Sequence, residues 1–224
     1  MKYGIYGKLP AHGDFISRNL PQNFIDIWDE WLQCVLAGSR DMLREEWLEL
    51  YLTSPIWRFT LSPGVIDGQA WAGILVPSVD SVGRYFPLTL TIAVPARENL
   101  YSLISESDTW FAELESIAIA GLQEQQNVDY LYSGLEDLAI PVSTYQCSKT
   151  ANGSLVSSGS SPSGSSPSGN SATGFAAMMS MANENVGSAS VWAAPGNENM
   201  SATCFVASGL PVPDEYTCML TGEW

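Results

Sequence analysis

The sequence is short of basic residues. Its 9 lysines and arginines stand against 24 aspartates and glutamates, so the formal net charge is −15 at pH 7. Nucleic acids and anionic membrane surfaces attract proteins through clusters of lysine and arginine. The scarcity of positive charge therefore excludes both of them as expected partners.

Long apolar stretches are also missing. No run approaches the roughly 18 apolar residues of a membrane-spanning helix, and the opening stretch MKYGIYGKLPAHGDF lacks the apolar core of a secretory signal. The four cysteines are scattered without a CxxC pair: Cys34, Cys147, Cys204 and Cys218. We therefore expect a cytoplasmic protein with reduced thiols and no membrane insertion.

Recognisable catalytic and metal-binding motifs are absent as well. The only histidine, His12, could act as the base of a catalytic triad, but the sequence has no GxSxG motif to supply the nucleophile. A histidine beside a glycine in a turn is usually a solvated loop residue. The stretch GKLPAHGDF at 7–15 lacks the Gly-Lys-Ser/Thr order of a Walker A phosphate loop. No HExxH pair or EF-hand run supplies metal ligands. We predict no catalytic residue, no cofactor and no metal.

The acidic charge is unevenly distributed along the chain. Residues 1–97 contain 10 acids and 8 bases, whereas residues 98–224 contain 14 acids and a single base, Lys149. An acidic surface of this kind maintains solubility, and it can also serve as an electrostatic docking face for a protein with a basic patch. The sequence leaves both interpretations open.

Hydrophobic periodicity predicts the order of secondary structure. A strand at KYGIYG precedes two helices, the first ending at Gly38 and the second capped by Ser39. From Ile56 onward, the segments IWRFTL, QAWAGILV and FPLTLTIAV predict three strands, with connections that suit antiparallel pairing. Helical spacing returns at 106–125 and around 129–137.

One tract differs in kind from the rest. Residues 152–174 contain the tandem repeat SSPSGSSPSG and almost nothing to bury, so burial cannot offset the entropy lost on ordering them. The later segments SASVWAA, SATCFVAS and YTCML predict one or two further strands and a terminal segment, too few residues for a core of their own. We predict a single domain over 1–224 with a flexible Ser/Gly/Pro-rich insertion at about 152–174.

Charged and polar residues concentrate in two motifs, GKLPAHGDF and PSVDSVGRYFPL, and at the ends of neighbouring elements. Such residues can form an ion network that fixes loops, or a docking surface. We expect the following set to converge at one edge of the sheet: Lys8, Asp14, Asp29, Arg58, Ser78, Asp80 and Arg84. The alternative is a phosphate-binding or hydrolytic site built from Lys8, Asp14, Asp80 and Arg84.

Four motifs, taken in order, resemble the TagF family (also called ImpM) of type VI secretion system-associated proteins. They are YGKLPAHGDF at 6–15, WDEWLQ at 28–33, SPIWRF at 54–59 with SPGV at 62–65, and PSVDSVGRYFPL at 77–88. The resemblance is continuous over about residues 1–140 and patchy beyond. Ser81 stands where the family pattern has an arginine, and Ala193 stands where relatives often have a second aromatic residue.

The resemblance implies a fold and a function. The fold is a three-layer α/β/α sandwich around one mixed, mostly antiparallel sheet. The implied function is that of a non-catalytic accessory protein in the cytoplasm of Gram-negative bacteria, a post-translational negative regulator of type VI secretion system assembly or activity. It would act through protein–protein contacts with type VI components, including a forkhead-associated scaffold protein. In this interpretation Lys8 and Asp14 hold or present a docking turn.

Limited proteolysis would test the predicted domain organisation. We expect a protease of broad specificity to cut first within 152–174, because an unordered tract of small polar residues is accessible to it. The two fragments should stay associated on gel filtration, since both contribute to one core. Fragments that separate and each remain folded would contradict the single domain.

Overall fold

A seven-stranded sheet with helices on both of its faces forms the structure. The computed structural model describes residues 2–95, 100–141, 145–149, 155–159, 187–197 and 200–224. Within these ranges, none of the helices has the length and apolar character needed to cross a membrane.

The strands in these ranges are β1 (Tyr3–Gly7), β2 (Ile16–Arg18), β3 (Trp57–Leu61), β4 (Ala70–Val76), β5 (Leu88–Val94), β6 (Tyr145–Lys149), β7 (Leu155–Gly159), β8 (Ala189–Ala194) and β9 (Thr203–Ser208). The α-helices are α1 (Gln22–Leu43), α2 (Trp47–Thr53), α3 (Leu100–Glu106), α4 (Asp108–Gln123), α5 (Val128–Glu136) and α6 (Pro213–Thr221). A 3₁₀ turn, Arg44–Glu46, joins α1 to α2.

The large sheet has the strand order β2–β1–β5–β4–β3–β8–β9, and each neighbouring pair in it is antiparallel. Ile74 of β4 lies opposite Leu90 of β5, and Phe59 of β3 lies opposite Trp192 of β8. The predicted antiparallel pairing is confirmed. β8 and β9, which follow the Ser/Gly/Pro tract, extend the same sheet, while β6 and β7 pair with each other in a separate two-stranded sheet.

Alternation along the strands separates two hydrophobic cores. In β4, Ala72 and Ile74 belong to the core beneath α3, α4 and α5, whereas Trp71 and Leu75 belong to the core beneath α1, α2 and α6. Successive side chains of a strand point to opposite faces, so the period of two in the sequence becomes two separate buried layers. The predicted three-layer α/β/α sandwich is confirmed.

The core beneath α1 is largely aromatic. The ring centroid of Trp28 lies 4.6 Å from that of Trp31 and 5.0 Å from that of Phe59. The indole N–H of Trp28 donates to Thr89 Oγ1 at 2.9 Å, and that of Trp31 donates to the Pro211 carbonyl at 2.7 Å. Because each buried indole N–H needs an acceptor, these bonds also fix the segment that leads into α6.

The predicted break between two helices at Gly38 is wrong, since α1 continues through Gly38 and Ser39. A Cβ at Gly38 would lie 2.6 Å from the Cβ of Pro213, so this glycine allows α1 to pack closely on α6. The Ser39 hydroxyl is buried and accepts the Trp47 indole N–H at 2.9 Å. Both residues therefore serve tertiary packing and do not end or cap a helix.

Part of the predicted insertion falls among the described residues. Its positions 155–159 form β7, which pairs with β6, whereas 152–154 and 160–174 lie outside the described residues. The flexibility expected of those positions stays a prediction. The last predicted segment, YTCML, belongs to α6.

Gly73 allows β4 and β5 to approach each other closely. A Cβ added there would lie 2.2 Å from the Leu90 carbonyl oxygen and 2.8 Å from Thr91 Cα, both of them backbone atoms of a central strand. We expect Gly73→Ala to lower the free energy of unfolding by about 2 kcal/mol, because the strands must move apart. Urea unfolding followed by tryptophan fluorescence measures the loss.

The matched control for Gly73 is Gly68→Ala, since no heavy atom lies within 4 Å of the Cβ position of Gly68. Its effect should stay within about 0.5 kcal/mol. Equal losses in the two variants would show that the close approach of β4 to β5 is not what requires glycine.

Candidate functional site

Two loops meet at one end of the sheet. Residues 8–15 follow β1, and residues 77–87 connect β4 to β5. Because β5 pairs with both β1 and β4, the ends of β1 and β4 lie on either side of the start of β5. We call these two loops together the clasp. They contain the two motifs in which the sequence concentrates charged residues.

The clasp begins at a position that demands glycine. Gly7 has a φ of 131°, which side chains disfavour, and a Cβ there would lie 2.0 Å from the Pro87 carbonyl oxygen. The last residue of β1 therefore touches the second loop directly. This approach brings the next residue, Lys8, within reach of that loop.

The Asp80 carboxylate is the centre of the clasp. Its Oδ2 accepts hydrogen bonds from Lys8 Nζ at 2.8 Å and from Arg84 Nε at 2.7 Å. Its Oδ1 accepts the backbone N–H groups of Val82 at 3.0 Å and of Arg84 at 2.9 Å. The side chain of Asp80 is 0% exposed and that of Lys8 is 5% exposed, so the pair lies out of water. The carboxylate thus joins both loops through four donors.

These donors keep Asp80 ionised. Burial by itself would raise the pKa of Asp80, but hydrogen bonds from Lys8, from the backbone and guanidinium of Arg84 and from the Val82 N–H outweigh it. The pKa of Asp80 therefore lies well below its usual range. The network is an ion pair between the loops at neutral pH.

Backbone groups add further bonds between the two loops. The N–H of Ser81 donates to the His12 carbonyl at 3.0 Å. Arg84 Nη2 donates to the Gly13 carbonyl at 2.5 Å, while the same guanidinium holds Asp80. Each loop is therefore bonded to the other at several points along its length.

Ser78 ties the clasp to the helix layer that contains α2. Its hydroxyl donates to the Lys8 carbonyl at 2.6 Å. The buried Tyr51 hydroxyl donates to the Ser78 carbonyl at 2.9 Å and accepts the Ser78 N–H at 3.0 Å. The clasp is consequently bonded to α2 through Tyr51, in addition to the bonds between its two loops.

The clasp presents apolar side chains to solvent. Phe15 packs 4.8 Å from the ring of Phe86 and beneath Lys8 Nζ, 4.9 Å away, yet it stays 44% exposed. Val82, on the second loop, is 67% exposed, and the side chain of Arg84 is 54% exposed. Two loops that are bonded to each other thus display an aromatic, an aliphatic and a cationic group.

The structure does not bring Arg58 into this network, and that part of the expected convergence is wrong. Arg58 Nε donates to Glu115 at 2.7 Å, and its Nη1 donates to Asp108 at 2.6 Å, both on α4. The reason is strand alternation: Trp57 and Phe59 face the aromatic core, so Arg58 between them faces the opposite helix layer.

Asp14 lies in the first loop of the clasp and Asp29 lies beside the clasp, and neither joins its ion pairs. Asp29 Oδ1 accepts the Tyr6 hydroxyl at 2.5 Å, and burial together with this carboxylate raises the pKa of Tyr6. Tyr6 in turn stacks on Phe15 with their centroids 6.0 Å apart. Asp14 is exposed, and within the described residues its carboxylate accepts only the N–H of Phe15, at 2.9 Å.

His12 has a structural role that sequence reasoning missed. Its Nε2 accepts the N–H of Val128 at 3.2 Å, at the first residue of α5, and the side chain is half-buried. The first N–H groups of a helix need acceptors from outside the helix. The pattern around residue 129 did predict a helix start, but no local signal shows that a side chain 116 positions earlier reaches it.

The chemistry of the clasp is that of an anchor. Both oxygens of Asp80 already accept two hydrogen bonds each, which uses the acceptor capacity of a carboxylate. In the part of the chain that the structure describes, no group of three or more His, Cys, Asp or Glu side chains is arranged to hold a metal ion. The arrangement is therefore suited to holding two loops in one conformation.

Comparisons with known proteins point to one family. A family model described as "TagF N-terminal domain, Type VI secretion system-associated" matches residues 4–138, which include both loops of the clasp. The solved structure of PA0076 from Pseudomonas aeruginosa PAO1 is 36% identical, with a TM-score of 0.81, over 100% of this chain and 96% of that one. The comparison with curated proteins gives no match.

Acid titration tests the ion pairs of the clasp. The pKa of Asp80 is lower in the folded chain than the value of about 3.9 expected in the unfolded chain. Its contribution to stability is therefore fully present above about pH 4 and is lost as the pH falls toward the folded pKa. We expect the stability difference between the natural chain and Asp80→Asn to shrink between about pH 4 and pH 2 in urea unfolding.

Asp14→Asn is the control for this titration, since Asp14 makes a single hydrogen bond within its own loop. Its effect on the free energy of unfolding should be small at each pH. A difference for Asp80→Asn that stays constant down to about pH 2 would contradict the assignment of the low pKa to this carboxylate.

Proposed function

Because this chain belongs to the TagF family of type VI secretion system-associated proteins, we propose that it is a non-catalytic, post-translational negative regulator of type VI secretion system assembly or activity. In this proposal the protein acts in the cytoplasm and binds components of the system, among them a forkhead-associated scaffold protein. The clasp is the surface through which it binds.

The observation that supports this proposal is that both oxygens of the Asp80 carboxylate already accept two hydrogen bonds each. All four hydrogen bonds to the carboxylate come from the chain itself, and the carboxylate and its partner Lys8 are out of water. Such a network specifies one arrangement of the loops more than it stabilises the fold. A surface whose shape is specified in this way suits recognition of a protein, because little entropy is lost when it binds.

The groups displayed by the clasp support the same role. Aromatic and arginine side chains are over-represented among the residues that dominate binding energy at protein interfaces. Phe15 and Arg84 are of these types, and both are held by contacts within the clasp while they remain partly exposed. Val82 adds an exposed apolar side chain on the second loop.

The same geometry weighs against the alternative of a phosphate-binding or hydrolytic site. A general acid or base must reach the proton that it transfers. Lys8 and Asp80 are buried and bonded to each other, and Asp14 is bonded only within its own loop in the described residues. These four groups, Arg84 included, are therefore proposed to be structural and recognition groups rather than catalysts.

A secretion assay tests the regulatory proposal. In a strain that lacks this gene, we expect type VI secretion to rise and the natural chain to restore repression. Val82→Glu and Arg84→Ala should raise secretion several-fold at matched expression, because each alters the exposed part of the clasp. Secretion is measured by the amount of exported type VI tube protein in the culture supernatant.

Leu52→Glu is the matched control for Val82→Glu. Leu52 lies on α2 and is 51% exposed, so the substitution places the same charge on an apolar surface position outside the two loops. It should repress like the natural chain. Full repression by both clasp variants, with melting temperatures unchanged, would rule out the clasp as the binding surface.

A further inference from the structure

A groove runs between α4 and α5 on the face of the molecule that these helices cover. It encloses about 330 Å³ and is lined by Ser116, Ile117, Ala120, Tyr130, Ser133, Gly134 and Asp137. Its volume matches the lower end of ligand-sized pockets, enough for one or two side chains of a partner. Ile117 and Ala120 supply an apolar wall, and Tyr130, which is 46% exposed, stands at the rim.

Glycines shape this groove. A Cβ at Gly121 would lie 2.5 Å from Leu131 Cδ1, so the two helices are in close contact at the bottom. A Cβ at Gly134 would be in ordinary contact with Ile117, 3.4 Å from its nearest atoms, so this glycine lies against the apolar wall of the groove without a side chain of its own. The two helices are therefore in contact where Gly121 meets Leu131, and they leave the groove open beside Gly134.

The surroundings of the groove are strongly acidic. Residues 100–141 contain eight acids and no lysine, arginine or histidine. Cations from elsewhere neutralise three of them, since Arg58 pairs with Asp108 and Glu115 and Arg18 pairs with Asp129. None of these three paired acids lines the groove.

The acids nearest the groove have no such compensation. Glu113 precedes the lining residue Ile117 by one turn of α4, and Glu124, the residue that caps the end of α4, follows Ala120 by one turn. Asp137 lines the groove from the end of α5. Within the described ranges, none of these three carboxylates forms an ion pair.

We infer that this groove, independently of the clasp, binds a protein segment that inserts an apolar side chain flanked by lysine or arginine. The apolar wall accepts the side chain, and the carboxylates at both ends attract the flanking cations. Residues 142–186 of the chain contain a single base, Lys149, so they cannot place a cation on both sides of an inserted apolar residue. A separate partner with a basic segment fits both the shape and the charge.

Peptide display on the purified full-length chain tests this inference. A library of random peptides is selected on the natural chain, and the enriched sequences are synthesised with a fluorophore for anisotropy. We expect them to combine a large apolar residue with flanking Lys or Arg, and to bind at least about threefold more weakly when salt is raised from about 50 to about 300 mM.

Three substitutions locate the binding site. Ser133→Trp fills the groove from an exposed position and should weaken binding at least about tenfold. Glu113→Lys and Asp137→Lys should each weaken it several-fold, with a smaller effect at high salt. The controls are Ala37→Trp and Glu45→Lys, at exposed positions of the opposite helix layer, which should bind like the natural chain.

The inference is overturned if the library yields no enriched peptide, if the enriched peptides are not basic, or if Ser133→Trp binds them as tightly as the natural chain. This result is separate from the regulatory proposal, because peptide binding is measured on purified protein and Val82→Glu should leave it unchanged. If the clasp variants lose regulation and no peptide binds, the proposed function is retained and the groove is rejected as a binding site.

Discussion

A carboxylate that leaves water must receive hydrogen bonds at both of its oxygens, and this requirement at Asp80 organises one end of the sheet. One loop supplies Lys8, and the other supplies Arg84 and two backbone N–H groups. The loops cannot separate without leaving charges uncompensated. Residue 81 joins the loops through its backbone N–H, a group that does not depend on the side chain at this position.

Most of the fold could be predicted because alternation and helical spacing are local properties of the sequence. β5 alternates cleanly, and the two faces of β4 enter two different cores. Gly38 was misinterpreted because glycine serves both to end helices and to admit a neighbouring helix, and only the position of Pro213 distinguishes the two. The three-residue strand β2 and the seven-residue helix α3 were missed, since elements this short have hardly one period to detect.

The candidate site could be predicted in part. Lys8, Asp80 and Arg84 follow strand ends, and antiparallel pairing brings those ends together. Arg58 sits within a strand, so its partner depends on which face it occupies and which helix lies there. The partner of His12 was even less predictable from the sequence. The N–H that its ring accepts belongs to Val128 of α5, a helix far away along the chain. The sequence pattern places residues along elements, whereas these partners depend on how the elements are packed.

The interior position of β3, between β4 and β8, makes the sheet depend on residues that are translated late. β3 pairs with β8, and the fully buried Trp192 of β8 completes the core beneath α1. Until β8 leaves the ribosome, the hydrogen-bonding edge of β3 is open, and open edges invite pairing with other chains. The nascent chain therefore passes through an aggregation-prone interval during synthesis, and closing so distant a pair slows folding. A fragment that stopped at residue 138, the end of the matched family segment, would never leave that interval.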